Sequence, residues 1–327
     1  MPQPNAGCAS SPEAAASSSY AERLASVVAL LRETDDLELR VDEPMDRHTS
    51  LGVGGPADLY AIPRNVAGIC RALQAASACE MPLLVTGRGT NLLVRDGGFR
   101  GMVLYIGEPF SALSRDGDCI TAAAGATLAE VCEFASHAGL SGLEFAAGIP
   151  GSVGGAVAMN AGAFGGQMAD VIESVAAVGE SCEVRQCDRE MLEFGYRNSC
   201  LRDKHCVAVS VTFKLRPADP QQVRQAALEA VEKRCRRQPL SLGSAGSVFK
   251  RPPGDYAGRL LEAAGCKGLR IGGASFSEKH ANFIVNEGSA TAADVVALIE
   301  LATQRVHEVH DVWLEEEICI VGEPPAS

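Results

Sequence analysis

Three glycine clusters punctuate the first two-thirds of the chain and restrict the folds that can carry them. The first is Gly52-Val53-Gly54-Gly55-Pro56, and the second is Gly87-Arg88-Gly89-Thr90-Asn91-Leu92. The third is Gly148-Ile149-Pro150-Gly151-Ser152-Val153-Gly154-Gly155, continuing through Asn160-Ala161-Gly162-Ala163-Phe164-Gly165-Gly166. Glycine reaches positive φ and has no side chain to block an approaching group, so such runs let main-chain N–H groups converge on an anion. One cluster alone reads as a tight turn. Three together, two of them with embedded Ser, Thr or Asn donors, favour a diphosphate cradle. The P-loop pattern is absent, and Gly87-x-Gly89 is not completed by a glycine at Leu92, so a dinucleotide would sit on another scaffold.

Charge separates nucleotides from polynucleotides. Among 327 residues, 29 Lys+Arg stand against 41 Asp+Glu, a net charge of −12. The densest basic block is Arg234-Cys235-Arg236-Arg237. A nucleic-acid partner, which needs a basic stripe, is not expected. No apolar run approaches the roughly 18–20 residues of a membrane helix. The first twenty residues lack the basic start and apolar centre of a signal peptide and read as a disordered tail; a cytoplasmic protein is expected. The 12 cysteines are scattered singly from Cys8 to Cys319. Neither Cys182/Cys187 nor Cys200/Cys206 has metal-site spacing, so buried thiols are expected in place of disulfides or a metal.

The spacing predicts a helix over Tyr20–Leu31, an extended stretch over Glu33–Pro44, and a helix capped by Asn65 through Val66, Ile69, Leu73 and Ala76. Leu83–Val85 reads as a buried strand and Met102–Ile106 as another. Thr127 and Glu130 form a capping box for a helix stopping at Gly139. Cys206–Leu215 alternates apolar and polar, as a half-buried strand does. After a break at Arg216-Pro217, helices are expected over Gln221–Arg236, over Tyr256–Ala264 with Asp255 as cap and Gly265 as stop, and after the Thr291/Asp294 box. The last helix carries a stripe of Val295, Leu298, Ile299, Ala302, Val306, Val309 and Trp313, expected in the core. Ile318–Val321 closes as a strand. This mixture, without strict βαβ alternation, is α+β.

Candidate catalytic groups are spread out. Arg197 lies in Phe194-Gly195-Tyr196-Arg197, Ser247 and Lys250 in a glycine/serine loop, and Glu317 in Glu315-Glu316-Glu317, which is expected to end the last helix region just before the final strand. Singly, they could be a surface arginine, a turn serine and a solvated acidic run. His307 and His310 have no carboxylate or cysteine to complete a metal site. No G-x-S-x-G elbow supports a serine hydrolase.

As an ordered set the motifs resemble one family. His48-Thr-Ser-Leu-Gly-Val-Gly-Gly-Pro-Ala-Asp58, Gly87–Leu93, Gly148–Ala156, Phe194–Arg197, Gly246-Ser-Val-Phe-Lys250 and Ser277-Glu-Lys-His-Ala-Asn-Phe-Ile-Val-Asn286 are similar to those of UDP-N-acetylenolpyruvoylglucosamine reductases, the flavoenzymes of peptidoglycan precursor synthesis. The short spacing from Arg197 to Ser247 resembles the branch without an extra tyrosine loop. Many relatives carry Arg or Lys where Gly52 stands here, which removes any contact made by that side chain.

The resemblance implies a two-subdomain FAD module of the vanillyl-alcohol-oxidase type (residues 21–216, dividing near 90), then an α+β substrate domain (217–322) and a short tail (323–327). It implies bound FAD, NADPH as co-substrate and UDP-N-acetylglucosamine enolpyruvate as substrate; a monomer is expected. Hydride passes from NADPH to the flavin and from reduced FAD to the enolpyruvyl ether, and a proton completes UDP-N-acetylmuramate. Arg197 would hold the developing dianion, Ser247 would donate the proton, and Glu317 would act with a raised pKa from burial. Cofactor contacts would come from Gly54, Gly55, Gly87, Arg88, Gly89, Thr90, Asn91, Leu92, Gly148, Ile149, Pro150, Gly151, Ser152, Gly154, Gly155, Asn160 and Gly162. Substrate contacts would come from Tyr196, Lys250, Lys279 and Asn282. Another FAD oxidoreductase of the same superfamily would share the glycine clusters but not Arg197, Ser247 and Glu317 together; a non-catalytic binding module would hold the cofactor without turnover.

Overall fold

A computed structural model describes residues 19–32, 34–202 and 206–325. The tail expected over the first twenty residues lies outside them, apart from Ser19 and Tyr20. Ser19 already caps helix α1 (Tyr20–Leu31) in a capping box with Glu22. Asn65 caps α2 (Val66–Ala78), its Oδ1 accepting from the Gly68 N–H at 3.0 Å. Both helices bury one face against a four-stranded sheet ordered Leu37–Pro44, Pro56–Pro63, Phe99–Tyr105, Leu83–Thr86. Leu83–Thr86 is an edge strand and Val85 is 41% exposed, so the buried strand expected there is corrected. An edge position leaves one side of a strand without a neighbour. Phe99–Tyr105 pairs in parallel with both Pro56–Pro63 and Leu83–Thr86, which carries this sheet past the division expected near residue 90.

The second sheet has five antiparallel strands in the order Val184–Asp188, Ile172–Gly179, Cys206–Lys214, Cys119–Ala123, Leu113–Asp116. Helix α3 (Leu128–His137) opens with the Thr127/Glu130 capping box, and the short α4 (Val153–Ala158) follows Ser152. The long α5 (Pro220–Arg237) packs on α3, and its Ala230 joins the core shared by the two sheets. The transition to a second core therefore comes after α5 instead of at 217. A helix starting after Pro217 must bury its apolar stripe, and the nearest apolar face belongs to α3.

That second core is built from α6 (Ala257–Ala263), α7 (Ala292–His310) and strands Arg270–Ile271, Ala274–Phe276 and Ile284–Asn286, and Leu51, Val53 and Leu93 of the first half also enter it. Tyr256, not Asp255, is the N-cap residue of α6; the Asp255 carboxylate accepts from the Tyr256 N–H at 2.7 Å and pairs with Arg259 one turn on. Val295, Leu298, Ile299, Ala302 and Val306 are buried as expected. Val309 and Trp313 are not: they are 58% and 66% exposed, because α7 ends at His310 where the core runs out, and Trp313 stacks on His307 at 4.0 Å.

Contacts with the first half fix the position of this domain. The final strand, Cys319–Val321, pairs in parallel with Leu92–Val94, next to the second glycine cluster. The Asp96 carboxylate accepts from the N–H groups of Ala292 and Ala293 at 2.9 and 2.8 Å, capping α7 from outside its own domain. A carboxylate at a helix N-terminus also meets the favourable end of the helix dipole. None of the described cysteines is in a disulfide.

Candidate active site

The second and third glycine clusters face each other. A Cβ on Gly87 would lie 2.2 Å from Ser152 Oγ, and one on Gly151 would lie 3.2 Å from Thr90 Oγ1. Thr90 Oγ1 donates to the Pro150 carbonyl at 3.1 Å. Gly89 has φ +61°, and a Cβ there would meet the His48 carbonyl at 2.0 Å, so only glycine fits. Among the described residues, the main-chain N–H groups of Gly87, Arg88, Gly89 and Thr90 donate to no protein oxygen. Four undonated amides beside a loop that tolerates no Cβ fit the diphosphate of a dinucleotide, which binds through such groups.

The first cluster does different work. Gly55 presses on its own chain, where a Cβ would meet the Asp96 carbonyl at 2.1 Å, and its N–H donates to the Arg95 carbonyl. Gly54 packs against Val94 and Met45. Leu92, 5% exposed, belongs to that core. Gly154 donates its N–H to the Ala124 carbonyl, and the Gly155 N–H reaches Ser152 Oγ, the cap of α4. Asn160 is buried, and its amide is spent on Gln167, the Gly195 carbonyl and the Ala169 N–H.

Arg197, Ser247 and Glu317 line one cavity of about 360 Å3, together with Tyr196, Lys279 and Asn282. Each arrives differently. Arg197 sits at φ +54°, a left-handed conformation uncommon for a residue with a Cβ and held here by its surroundings. Its Nε donates to Glu317 Oε1 at 2.6 Å, and its Nη2 donates to the Gly162 carbonyl at 3.3 Å. Glu317 is not at a helix end; α7 stops at His310, and the acidic run returns alongside the serine loop. The Glu317 N–H donates to Val248 O at 2.8 Å, and its carbonyl accepts from Asn91 Nδ2 at 3.0 Å, which joins the second glycine loop to the carboxylate. Ser247 follows Gly246, whose N–H donates to Ser244 Oγ at 3.1 Å. Burial raises the Glu317 pKa above the ordinary carboxylate value, against the opposing pull of Arg197 and Lys250.

The expected substrate contacts divide. Tyr196 is exposed, under the Arg197 guanidinium at 5.2 Å, and its hydroxyl accepts from the Arg251 N–H at 3.2 Å. The Lys279 ammonium donates to the Cys235 carbonyl at the cavity. Lys250 is outside the lining, its ammonium paired with Glu315. Asn282 is buried and brackets Phe249, accepting from its N–H at 3.0 Å and donating to its carbonyl at 2.8 Å, so its amide serves the serine loop. Arg251, Tyr256 and His280 also line the cavity and were not among the expected contacts. His280 lay inside the Ser277–Asn286 motif and Arg251 directly after Lys250, so adjacency to a motif was the signal available for both.

Cradle and cavity together define an FAD-binding oxidoreductase fold. A model of the FAD binding domain matches residues 57–188, and one of the UDP-N-acetylenolpyruvoylglucosamine reductase C-terminal domain matches residues 238–321. The UDP-N-acetylenolpyruvoylglucosamine reductase of Alkaliphilus oremlandii is 45% identical over 283 residues, covering 86% of this chain and 93% of that one. That of Agathobacter rectalis is 43% identical over 309 residues, covering 91% and 98%. The crystal structure of the enzyme of that name from Thermus caldophilus superposes with a TM-score of 0.75 at 38% identity, covering 87% of this chain and 98% of that one. The chain belongs to the UDP-N-acetylenolpyruvoylglucosamine reductase family. Its architecture, an α+β FAD module followed by an α+β C-terminal domain, is the one the sequence led us to expect.

Proposed function

We propose that this protein reduces UDP-N-acetylglucosamine enolpyruvate to UDP-N-acetylmuramate with NADPH as reductant, supplying a peptidoglycan precursor. The observation that carries this reading is the meeting of Arg197, Ser247 and Glu317 in one cavity next to the amide cradle of Gly87–Thr90. FAD held by that cradle supplies the hydride transfer that no side chain performs.

The chain's own residues do the rest. The Arg197 guanidinium holds the substrate carboxylate, and its charge offsets the negative charge that builds there; a planar fork suits this better than an ammonium. Ser247 Oγ keeps a proton at the carbon that must receive it, a role in which a weak acid works only through positioning. Glu317, its pKa raised by burial, carries or shares a proton and so does not oppose the charge on the substrate. Asn91, Asn160 and Asn282 hold the Glu317, Arg197 and Ser247 segments in place through main-chain hydrogen bonds. Among the described residues no helix is long and apolar enough to cross a membrane.

The test is an anaerobic titration of the purified protein. NADPH is expected to bleach the flavin band, and only UDP-N-acetylglucosamine enolpyruvate to restore it. Restoration by other enol ethers would point to a related reductase, and a flavin band that NADPH never bleaches to a binding module.

A further inference from the structure

We propose that Ser50, just before the first glycine cluster, is a positioning residue for the reaction. It locks the loop that carries Ser247 to the loop that cradles FAD, and so sets the proton donor against the hydride donor. The proposal rests on the reductase reading above.

The two groups that must cooperate come from different parts of the chain. The cradle loop Gly87–Thr90 lies within the match to the FAD binding domain, and Ser247 within the match to the C-terminal domain. Hydride and proton nevertheless end on neighbouring carbons of one double bond, and a misplacement of about 1 Å is enough to cost roughly 10²-fold in rate. Ser50 bonds to both loops. Its N–H donates to the Gly89 carbonyl at 3.1 Å, and its own carbonyl accepts from the Ser244 N–H at 3.2 Å. Its Oγ donates to the Ser244 carbonyl at 2.7 Å, across 194 positions of sequence, and lies 3.3 Å from the Gly89 carbonyl. A hydroxyl has a single proton, so the shorter bond to Ser244 takes it.

The path from this lock to Ser247 is short. Ser244 Oγ accepts from the Gly246 N–H at 3.1 Å, and Gly246 turns at φ +79° directly before Ser247. A Cβ on Gly246 would lie 3.9 Å from the Thr90 carbonyl, so the serine loop passes against the cradle loop here. Beyond Ser247, the Val248 N–H donates to the Asn282 carbonyl at 2.9 Å. Ser247 is therefore held from one side by Ser50 and from the other by Asn282. On the cradle side, a trans peptide keeps its C=O and N–H antiparallel, so holding the Gly89 carbonyl also aims the Thr90 N–H away from Ser50. Ser50 is itself anchored by its neighbours. Thr49 Oγ1 donates to the Val53 carbonyl at 2.8 Å, and Leu51 is buried in the second core.

Stopped-flow measurement of both half-reactions of the holoenzyme tests the assignment, with FAD affinity and melting temperature alongside. Ser50→Ala removes the Oγ bond and keeps both main-chain bonds. It is expected to slow flavin reoxidation by substrate about 5- to 50-fold, from the lost hydrogen bond and the displacement this permits, with reduction by NADPH and FAD affinity within about twofold of wild type. Ser50→Thr, which keeps the hydroxyl, should restore reoxidation; Ser50→Cys provides the measurement if the Ala variant does not fold. Because Ser50 acts through Ser247, adding Ser50→Ala to Ser247→Ala should slow reoxidation by no more than about twofold further. Multiplicative effects in the double variant, or equal slowing of both half-reactions, would reduce Ser50 to a structural role and overturn the proposal. Wild-type protein whose reduced flavin the substrate never reoxidises would instead remove the reductase reading on which it rests.

Discussion

Arg197 Nε and Glu317 Oε1 are 2.6 Å apart across 120 positions of sequence, with the arginine side chain 22% and the carboxylate side chain 14% exposed. The pair keeps the guanidinium oriented while leaving its remaining donors toward Gly162 and the cavity. Replacing the fork with a single ammonium should therefore hurt more than its unchanged charge suggests. Arg197→Lys is expected to slow flavin reoxidation by substrate about 10- to 100-fold, the loss of one or two charge-assisted hydrogen bonds. Stopped-flow absorbance measures it; reoxidation at the wild-type rate would remove Arg197 from the chemistry.

The raised pKa of Glu317 ties stability to pH. Burial disfavours the ionised carboxylate in the folded protein, so the folded state binds the proton more tightly than the unfolded chain. The stability contributed is complete below the ordinary glutamate value of 4.5 and is lost as pH rises through the raised folded value. Glu317→Gln removes this slope. Melting temperatures from about pH 4 to about pH 8 should show the variant gaining on the wild type as pH rises; a constant difference would contradict the assignment.

Ser247 should affect only one half-reaction. Ser247→Ala is expected to leave reduction of the flavin by NADPH nearly intact and to slow reoxidation by substrate about 10²–10⁴-fold, the range for a general acid. If both half-reactions slow equally, the serine positions the flavin instead.

Two glycines should behave in opposite ways. Gly87→Ala places a methyl 2.2 Å from Ser152 Oγ and should reduce FAD affinity, with partial relief in the Gly87→Ala/Ser152→Gly double variant. Gly52 has φ +68°, but a Cβ there would meet only Asn286 Nδ2, at an ordinary contact distance of 3.6 Å. Gly52→Ala should cost about 1–2 kcal/mol of stability from the left-handed backbone and leave FAD binding alone. Urea denaturation and FAD titration of both variants separate the two effects.

Much of this was legible in the sequence because it is local. The Thr127/Glu130 and Thr291/Asp294 boxes, the Asn65 cap, the alternation of Cys206–Lys214 and the glycine spacing depend on neighbours a few residues away, and the motifs built on them carried the family resemblance. Tertiary structure alone decided the rest. Trp313 and Val309 keep helical spacing yet face outward, because periodicity states which residues share a face and not how far the core beneath them extends. Asn160 and Asn282 occupy motif positions yet spend their amides inside the protein, Asn160 on Gln167 and main chain and Asn282 on main chain, a choice fixed by whichever donors and acceptors folding left buried nearby. Arg197 meets Glu317 because the last strand, Cys319–Val321, closes on Leu92–Val94, a pairing across more than two hundred residues that no local signal encodes.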